Sequence, residues 1–441
     1  MAEKHRVLIL GGGFGGLYAA QALRGEPVDV TILDRRNFHL FQPLLYQVAT
    51  GSLSPGEVAA PLRSVLRKQK NTRVLLGEAV DIDPGSKRVL LKDGGTIDYD
   101  SLIVATGSQS AYFGHDEWRE WAPSLKSVEE ATQIRHKILL AFEVAERTAD
   151  PAERTAWLTF VIVGGGATGV ELAGALGEIA NETLKHDFRS IRPQDARIIV
   201  VDGGQRPLAS YPEDLSHKAE RSLLKLGARV RTGVMVTCVD GNGVTLKTHS
   251  GTAHIASHTV IWAAGVAASD FGRRLATRTN AETDKTGRIT VSEELTIPNH
   301  PEIFVVGDLA LRLDGQGKAL PGVAQVAMQG GAYAAKAIVK RIGGNRHVKP
   351  FRYFNKGDIA VIGRAAAVAD IFGLHLSGLL AWLVWVFIHL MYIVEFQSRI
   401  VVFVQWAFLY LTFNRGARLI TGSAATDAVA RAEPLTNHAE A

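Results

Sequence analysis

A short apolar strand that runs into a glycine turn and then into a helix occurs twice in this 441-residue chain. In the first copy, Gly11, Gly13 and Gly16 follow the apolar run and precede an Ala- and Leu-rich segment. Such GxGxxG turns let the backbone approach a pyrophosphate, which lies at the helix N-terminus. Asp34 ends the next apolar run and is placed to accept a hydrogen bond from a ribose hydroxyl. This spacing predicts a dinucleotide-binding unit at the start of the chain.

The second copy begins at residue 157, where an apolar strand leads into Gly164, Gly166 and Gly169. Asp202 ends the following strand, although a polar segment, residues 185–194, separates it from its glycines by more than the usual ~20 residues. Two turns of this kind predict two dinucleotides, most simply FAD in the first unit and NADH in the second. A carboxylate at Asp202 repels a 2′-phosphate and so favours NADH over NADPH, a preference that the nearby Arg206 softens.

Three further turns predict how the two units are nested. Thr106-Gly107 and Gly265 each end an apolar strand, and Gly307-Asp308 ends another one after the second unit. Thr106 and Gly107 are predicted to contact FAD, and Gly265 is predicted to contact NADH. The order predicts an α/β fold with two Rossmann-like domains, in which an inserted NADH domain splits the FAD domain. The predicted boundaries are 1–115 for the first part of the FAD domain, 116–156 for a connecting helix and a linker near Thr148–Ala156, 157–265 for the NADH domain, 266–345 for the second FAD part, and 346–441 for a C-terminal membrane-anchoring region.

Composition and charge exclude several classes of function. The formal net charge is +5, and the basic residues form no block with interleaved aromatics, so no nucleic acid is expected. Cys238 is the one cysteine, which rules out an internal disulfide and a CxxC redox pair, and we expect it to be buried. No metal site is predicted. The first strand begins within a few residues of Met1 without a cleavage pattern, so we expect a cytoplasmic enzyme.

The C-terminal part differs from the rest of the chain. Leu379–Val394 is apolar except for His389, and Ile400–Phe413 is a second apolar run; both are rich in Trp and Tyr. Because both fall short of the ~20 residues that span a bilayer, the pattern favours amphipathic helices that lie in the membrane surface, over residues 377–415. A single true span, a buried core and a dimer interface are the alternatives.

Ala324-Gln-Val-Ala-Met-Gln329 fits the AQxAxQ pattern. Together with the two glycine turns, Gly307-Asp308 and the Trp-rich tail, this motif is similar to those of one family of the two-dinucleotide-binding-domain flavoproteins. The chain resembles the type II (single-subunit, non-proton-pumping) NADH:quinone oxidoreductases. In that family the two glutamines line the quinone pocket beside the flavin, which implicates Gln325 and Gln329. On a helix this spacing places both on one face.

The resemblance implies roles for five more residues. Asp308 would bind the ribityl and phosphate part of FAD, and Gln47 would lie against the flavin, although many relatives carry Glu there. Lys356 would stabilise the developing quinol anion, and an ordinary surface lysine is its alternative. Glu171 would lie near the nicotinamide and the flavin, where an acid at a helix start also complements the helix dipole. Thr106 would contribute to the FAD site.

The function implied by the resemblance is hydride transfer from NADH to FAD N5, followed by two-electron reduction of a membrane quinone, ubiquinone or menaquinone. We expect a peripheral enzyme of the respiratory chain, on the cytoplasmic face of the inner membrane, which does not pump protons; relatives commonly dimerise. One alternative is a flavoprotein reductase of a soluble acceptor of the ferredoxin or rubredoxin type. Another is a membrane-tethered, NADH-sensing interaction protein.

Overall fold

Apolar runs that end in glycine form the central parallel strands of the structure, a computed structural model that describes residues 4–345 and 347–420. The strands, in chain order, are β1 His5–Leu10, β2 Val28–Asp34, β3 Phe38–Leu40, β4 Ala59–Pro61, β5 Thr72–Leu76, β6 Ala79–Asp83, β7 Arg88–Leu91, β8 Thr96–Asp98, β9 Ser101–Val104, β10 Ser108–Ser110, β11 Thr159–Val163, β12 Arg197–Val201, β13 Ala228–Arg231, β14 Met235–Asp240, β15 Gly243–Thr248, β16 Gly251–Ala256, β17 Thr259–Trp262, β18 Val266–Ala268, β19 Ile289–Thr290, β20 Thr296–Ile297, β21 His300–Val305, β22 Ala310–Leu311, β23 Asp358–Gly363, β24 Ala366–Ile371 and β25 Leu374–Gly378.

The α-helices, in the same order, are α1 Phe14–Ala22, α2 Leu45–Ala49, α3 Pro55–Val58, α4 Leu62–Leu66, α5 Val128–Arg147, α6 Pro151–Trp157, α7 Ala167–Glu178, α8 Glu213–Lys225, α9 Asp270–Thr279, α10 Ala324–Ile342, α11 Leu379–Tyr392 and α12 Phe396–Thr412. Among the described residues, no helix is both long enough and apolar enough to cross a bilayer.

The first of two compact units comprises residues up to 40, 59–109 and 266–356. Its six-stranded sheet has the order β20-β21-β9-β1-β2-β5, in which every neighbouring pair except β20–β21 is parallel. The strand β1 is central and mostly buried, with Ile9 opposite Ile32 and Ile103. Helices α1 and α10 pack so closely that a Cβ on Gly331 would overlap the carbonyl oxygen of Gly15. Small residues therefore bring these two helices together under the first glycine turn.

The second unit comprises residues 41–58, 110–265 and those from 357 onward. Its parallel sheet has the order β13-β12-β11-β17, and two antiparallel three-stranded sheets accompany it, β14-β15-β16 and β23-β24-β25. Helix α7 packs against β23, where a Cβ on Gly174 would overlap the carbonyl oxygen of Ile362. The close approach again depends on glycine. Both units contain the strand, glycine turn and helix that the sequence predicted, so the predicted α/β fold with two Rossmann-like units is confirmed.

Two expectations about local structure are wrong. The predicted linker near Thr148–Ala156 contains helix α6, because Asp150 accepts hydrogen bonds from the backbone N–H groups of Ala152 and Glu153 and Pro151 starts the helix. Cys238, expected to be buried, is exposed. It lies on the edge strand β14, where a register shift between Val236 and Cys238 changes which side chains face outward. The predicted domain boundaries stay predictions.

Candidate functional site

The first glycine turn combines two packed glycines with one that faces open space. Gly11 has φ +101°, and a Cβ on Gly16 would overlap the Gly11 carbonyl oxygen. A Cβ on Gly13, by contrast, would meet nothing within 4 Å. Gly13 is also the N-cap of α1, which has no side-chain cap and no acidic residue in its first turn. The helix N-terminus therefore presents backbone N–H groups to an open space, which fits a pyrophosphate.

Asp34 lies at the end of β2, as predicted, and is tied to the glycine turn itself. One of its carboxylate oxygens accepts from Gly12 N at 2.5 Å and the other from Arg36 N at 2.6 Å. Burial raises the pKa of Asp34, and these two backbone hydrogen bonds oppose that rise. Because each carboxylate oxygen has a second lone pair, the group can also accept from a ribose hydroxyl.

Two further turns of the first unit, one at Gly107 and one at Asp308, lie side by side. Ser108 donates to a carboxylate oxygen of Asp308 at 2.9 Å, and Thr106 Oγ1 lies 2.7 Å from Ser269 Oγ. Gly107 has φ +66° and would have no atom within 4 Å of a Cβ. Asp308 borders a cleft together with Gly322 and Arg312, among other residues. The open glycines, the carboxylates and the cleft suit a dinucleotide, so these residues fit FAD.

Gln325 and Gln329 lie one turn apart on α10, on one face as predicted, and both bind the backbone of the same segment. Gln329 donates from Nε2 to Phe354 O at 2.9 Å and accepts at Oε1 from Phe354 N at 3.0 Å. Gln325 Oε1 accepts from Lys356 N at 3.1 Å. The two amides therefore hold residues 354–356 along α10 much as a neighbouring strand would, and they fix the position of Lys356.

The second unit repeats the arrangement of the first. Gly164 has φ +112°, a Cβ on Gly169 would overlap the Gly164 carbonyl oxygen, and a Cβ on Gly166 would meet nothing within 4 Å. Asp202 accepts from Gly165 N at 2.6 Å with one oxygen and from Gly204 N at 2.6 Å with the other. Each unit thus pairs an open helix N-terminus with an aspartate that fastens the turn, so the second unit fits a second dinucleotide.

Arg206, which the sequence placed near the ribose end of the second site, is engaged elsewhere. Its guanidinium donates to the backbone carbonyl oxygens of Leu208 at 3.2 Å and Ala209 at 3.0 Å. A cation used in this way offers less to a 2′-phosphate than the sequence alone suggested. The preference for NADH that Asp202 predicts stays a prediction.

Glu171, on α7, borders a cleft within the second unit. Burial raises the pKa of Glu171 to about 8, and a backbone hydrogen bond with Val361 only partly opposes this. Burial and the nearby Glu171 also raise the pKa of Tyr46 far above its usual value. Five aromatic side chains of the tail form part of its wall: Trp382, Trp385, Trp406, Tyr410 and Phe413. The charged side chains of Glu178, Arg364 and Arg415 also border it. A protonated carboxyl group in this cleft can supply a proton without holding a charge at neutral pH.

Gln47 borders the same cleft, and both groups of its amide are used by neighbouring side chains. Its Nε2 donates to the Tyr46 hydroxyl at 2.9 Å, and its Oε1 accepts from Trp406 Nε1 at 2.7 Å. Gln47 therefore links α2 to α12. Its predicted contact with the flavin stays a prediction.

The sequence is similar to those of known flavoproteins along nearly its whole length. The family model for pyridine nucleotide-disulphide oxidoreductases matches residues 5–331, and that for the NDH2 C-terminal domain matches residues 355–415. The type II NADH:quinone oxidoreductase Ndh of Mycobacterium tuberculosis is 45% identical over 425 residues, which cover 95% of this chain and 91% of that protein. The chain belongs to the type II NADH:quinone oxidoreductases.

Solved structures agree on the fold of this family. NDH2 from Plasmodium falciparum in complex with NADH superposes with a TM-score of 0.84 at 20% identity, and the match covers 95% of this chain and all of that one. The sulfide:quinone oxidoreductase of Aquifex aeolicus superposes with a TM-score of 0.70 at 18% identity, over 96% of this chain and 94% of that one. At these identities the likeness is one of fold.

Sequence analysis missed a buried ion pair in the tail. Arg415, only 3% exposed, donates to Glu178 at 2.8 Å and to the carbonyl and hydroxyl oxygens of Thr50, and it also contacts the Ser52 hydroxyl. The pair joins the end of the tail to α7 and to the segment after α2. No local pattern connects two residues so far apart in the chain, so the sequence carried no signal for it.

His39 is a second residue that the sequence did not single out. Its ring is 1% exposed, with Nδ1 2.9 Å from the carbonyl oxygen of Gly12 and an edge-on contact with Phe14. Burial lowers the pKa of His39, so the ring is neutral and Nδ1 is the donor to that carbonyl. His39 therefore stabilises the first glycine turn through its contact with Gly12. Among the described residues, no group of three His, Cys, Asp or Glu side chains could hold a metal ion.

Proposed function

We propose that this chain oxidises NADH and reduces a membrane quinone, ubiquinone or menaquinone, with FAD as its resident cofactor and without pumping protons. The observation that carries the proposal is the pair of equivalent dinucleotide crevices, one in each unit, in a chain of this family. When bound, FAD accepts a hydride from NADH and passes two electrons to the quinone. The chain itself binds, orients and supplies protons.

The first unit would hold FAD through groups that are already in place. Backbone N–H groups after Gly13 would bind the pyrophosphate at the start of α1. Asp34 would accept from the ribose, and Asp308, held by Ser108, would accept from the ribityl hydroxyls. Gly11 and Gly16 shape the turn, and Thr106 and Gly107 border the flavin end of the site.

The second unit would hold NADH in the same way. The turn at Gly164, Gly166 and Gly169 would bind its pyrophosphate, and Asp202 would accept from the ribose hydroxyls. Since Arg206 is engaged with backbone carbonyls, a 2′-phosphate would face the Asp202 carboxylate without a dedicated cation. NADH is therefore the proposed reductant.

The quinone would bind where α10 carries its two glutamines. Gln325 and Gln329 hold the backbone of Phe354 and Lys356, so they would act partly by positioning Lys356. An amide nitrogen carries two N–H groups, so Gln329 can donate to a quinone carbonyl as well as to Phe354 O. A cation at Lys356 would then stabilise the negative charge that develops on the reduced quinone.

Glu171 is the proposed proton donor of the second unit. With a pKa of about 8, its carboxyl group keeps its proton at neutral pH and can release it to a more basic oxygen. The alternative role, a charged acid that complements the helix dipole, is not supported, because Glu171 lies beyond the first turn of α7.

The tail would lie in the membrane surface. Helices α11 and α12 bury one narrow face, with Ala381, Trp385, Val402 and Trp406 inside. Their outer faces expose apolar side chains at helical spacing: Leu380, Leu383, Phe387, Met391, Phe396, Ile400, Phe403, Phe408 and Leu411. An exposed apolar surface of this size needs to be covered, which supports peripheral attachment to a membrane. The location that we propose is the cytoplasmic face of the inner membrane. The alternative cover is a second copy of the chain in a homodimer.

The quinone assignment can be tested by replacing Gln329 with Ala. The variant should be reduced by NADH at the wild-type rate, while reoxidation of its flavin by a short-chain quinone slows at least tenfold in stopped-flow absorbance. Gln316→Ala, in an exposed turn of the same unit, is the matched control and should behave as wild type. Slowed reduction by NADH with normal reoxidation would contradict the assignment.

A further inference from the structure

Phe113 is an exposed aromatic residue in a strained backbone conformation. Its φ is +54°, in the left-handed region that non-glycine residues rarely adopt, and its side chain is 69% exposed. The neighbouring aromatic side chains are buried: Tyr112 is 1% exposed and Trp118 5%. A strained conformation persists only where the surroundings enforce it, and such residues cluster at functional sites.

The segment that carries Phe113 is fixed from both sides. The Tyr112 hydroxyl donates to Ala122 O at 2.7 Å, and the Tyr112 ring stacks on Trp262 at 4.9 Å between centroids. Trp262 Nε1 donates to Ala111 O at 3.0 Å. The backbone around Phe113 is thereby bound to the end of β17. The exposed ring is therefore held on a fixed backbone.

The Phe113 ring lies against Gly265, one of the predicted NADH-site residues. A Cβ on Gly265 would come within 2.5 Å of Phe113 Cζ and 3.1 Å of Ala111 O, and Gly265 has φ +69°. Ala111 N donates to Gly265 O at 3.3 Å. Gly265 therefore lacks a side chain where the Phe113 ring passes, just beyond the carboxyl end of β17.

This position is the nicotinamide end of a dinucleotide crevice. In open parallel sheets the ligand lies at the carboxyl ends of the strands where the strand order reverses. In the order β13-β12-β11-β17 the reversal falls between β11 and β17. The glycine turn follows β11 and Asp202 follows β12, so the adenosine half belongs on the β12 side. The other half of the dinucleotide then extends toward β17, where Phe113 lies.

We propose that Phe113 contacts the nicotinamide ring of NADH and NAD⁺ and holds it by aromatic packing. An apolar aromatic ring that is exposed, rigidly mounted and placed in the crevice matches a flat aromatic ligand group. The proposal deepens, and rests on, the assignment of the second unit to NADH. It concerns the nicotinamide half alone, because the adenosine and pyrophosphate contacts lie on other strands.

The experiment compares two ligands that differ in that half. In isothermal titration calorimetry with the full-length, FAD-loaded protein, Phe113→Ala should raise the Kd for NAD⁺ about tenfold and leave the Kd for ADP-ribose, which lacks nicotinamide, within twofold of wild type. Phe113→Tyr keeps the aromatic ring and should bind NAD⁺ with a Kd close to that of the wild-type protein. Met235→Ala, which removes another exposed apolar side chain of the same unit, should change neither ligand.

Three outcomes would overturn the inference. Equal weakening of NAD⁺ and ADP-ribose would mean that Phe113 only supports the local structure. Unchanged Kd values for both ligands in Phe113→Ala would exclude the aromatic contact. A Kd for NAD⁺ that is as weak in Phe113→Tyr as in Phe113→Ala would exclude it too. If wild-type protein binds neither ligand, the NADH assignment of the second unit fails instead, which is a distinguishable result.

Discussion

At the scale of single residues, the six glycines of the two GxGxxG patterns have two different roles. Gly11, Gly16, Gly164 and Gly169 are required by the protein itself, through positive φ or through contact with a neighbouring backbone oxygen. Gly13 and Gly166 meet nothing. A ligand that approaches the backbone would account for the missing side chain at these two positions.

Replacement of these glycines should therefore separate folding from cofactor binding. Gly16→Ala forces a Cβ into the Gly11 carbonyl and should lower Tm by several degrees. Gly13→Ala should fold with a Tm near that of the wild-type apoprotein yet retain much less FAD, as measured by the ratio of flavin to protein absorbance. A Gly13→Ala protein with full FAD content would contradict the proposed pyrophosphate site.

The equivalent change in the second unit gives the internal control. Gly166→Ala should keep its FAD and lose NAD⁺ binding in calorimetry. Loss of FAD from Gly166→Ala, or loss of NAD⁺ binding together with unfolding, would contradict the assignment of one dinucleotide to each turn.

Glu171 predicts a pH dependence of stability with a definite sign. Its pKa is raised from 4.5 to about 8 by burial, so the folded protein binds more protons than the unfolded chain between those values. Its contribution to the free energy of unfolding should therefore fall as pH rises from about 4.5 to about 8 and stay level above that. Glu171→Gln removes the titration, so the stability difference between pH 6 and pH 8.5 in urea denaturation should be smaller than in wild type. An unchanged difference would mean that Glu171 titrates normally.

At the scale of the elements, the tail helices are joined to the rest of the second unit by a few polar contacts within an aromatic surface. Trp406 Nε1 donates to Gln47, whereas Trp385 Nε1 is buried without a partner among the described residues. Both rings are nearly fully buried and face each other, with centroids 4.8 Å apart. They therefore form a matched pair that differs mainly in one hydrogen bond.

Trp→Phe replacements at these two positions should differ in cost. Trp406→Phe leaves the buried oxygen of Gln47 without its donor and should lower stability by about 1–3 kcal/mol more than Trp385→Phe does. The measurement is the shift of Tm in the same detergent for both variants. Equal shifts would mean that the link between α2 and α12 contributes only packing.

The outer faces of the same helices predict membrane binding. Phe403 and Phe408 are more than half exposed on α12, so Phe403→Ser with Phe408→Ser should shift the protein from sedimenting with liposomes toward the supernatant while NADH oxidation by a water-soluble acceptor is kept. Leu224→Ser, a similarly exposed position on α8, is the control. Retained liposome binding with loss of a dimer would favour the homodimer alternative.

Substitution is a better test here than deletion of the tail. Removal of α11 and α12 together with Arg415 would leave Glu178 buried without its cation and Gln47 without Trp406. A truncated protein that fails to fold would then say nothing about the membrane.

At the scale of the whole molecule, the sequence predicted what local patterns control. The strands, glycine turns and carboxyl-end aspartates depend on neighbours within a few tens of residues, and the structure has them where the spacing placed them. The contacts of Gln47 with Trp406 and of Glu178 with Arg415 join residues hundreds of positions apart. Such pairs follow from packing of the completed fold, so a single sequence cannot reveal them.

The glutamine pair shows the same division within one motif. The spacing predicted that Gln325 and Gln329 share a helix face, and they do. It could not predict that both amides bind the backbone around Lys356, because the segment 354–356 has no pattern that indicates its partner. Whether these residues also bind quinone stays a prediction.

The central claim is that electrons pass from NADH through bound FAD to a quinone, and double-mixing stopped flow at the flavin absorbance band tests it most directly. We expect NADH to bleach the flavin band of the purified, FAD-loaded protein, and a short-chain quinone added in the second mix to restore it within the turnover time. A flavin that NADH bleaches but quinone does not reoxidise would contradict the claim and indicate a protein as the electron acceptor.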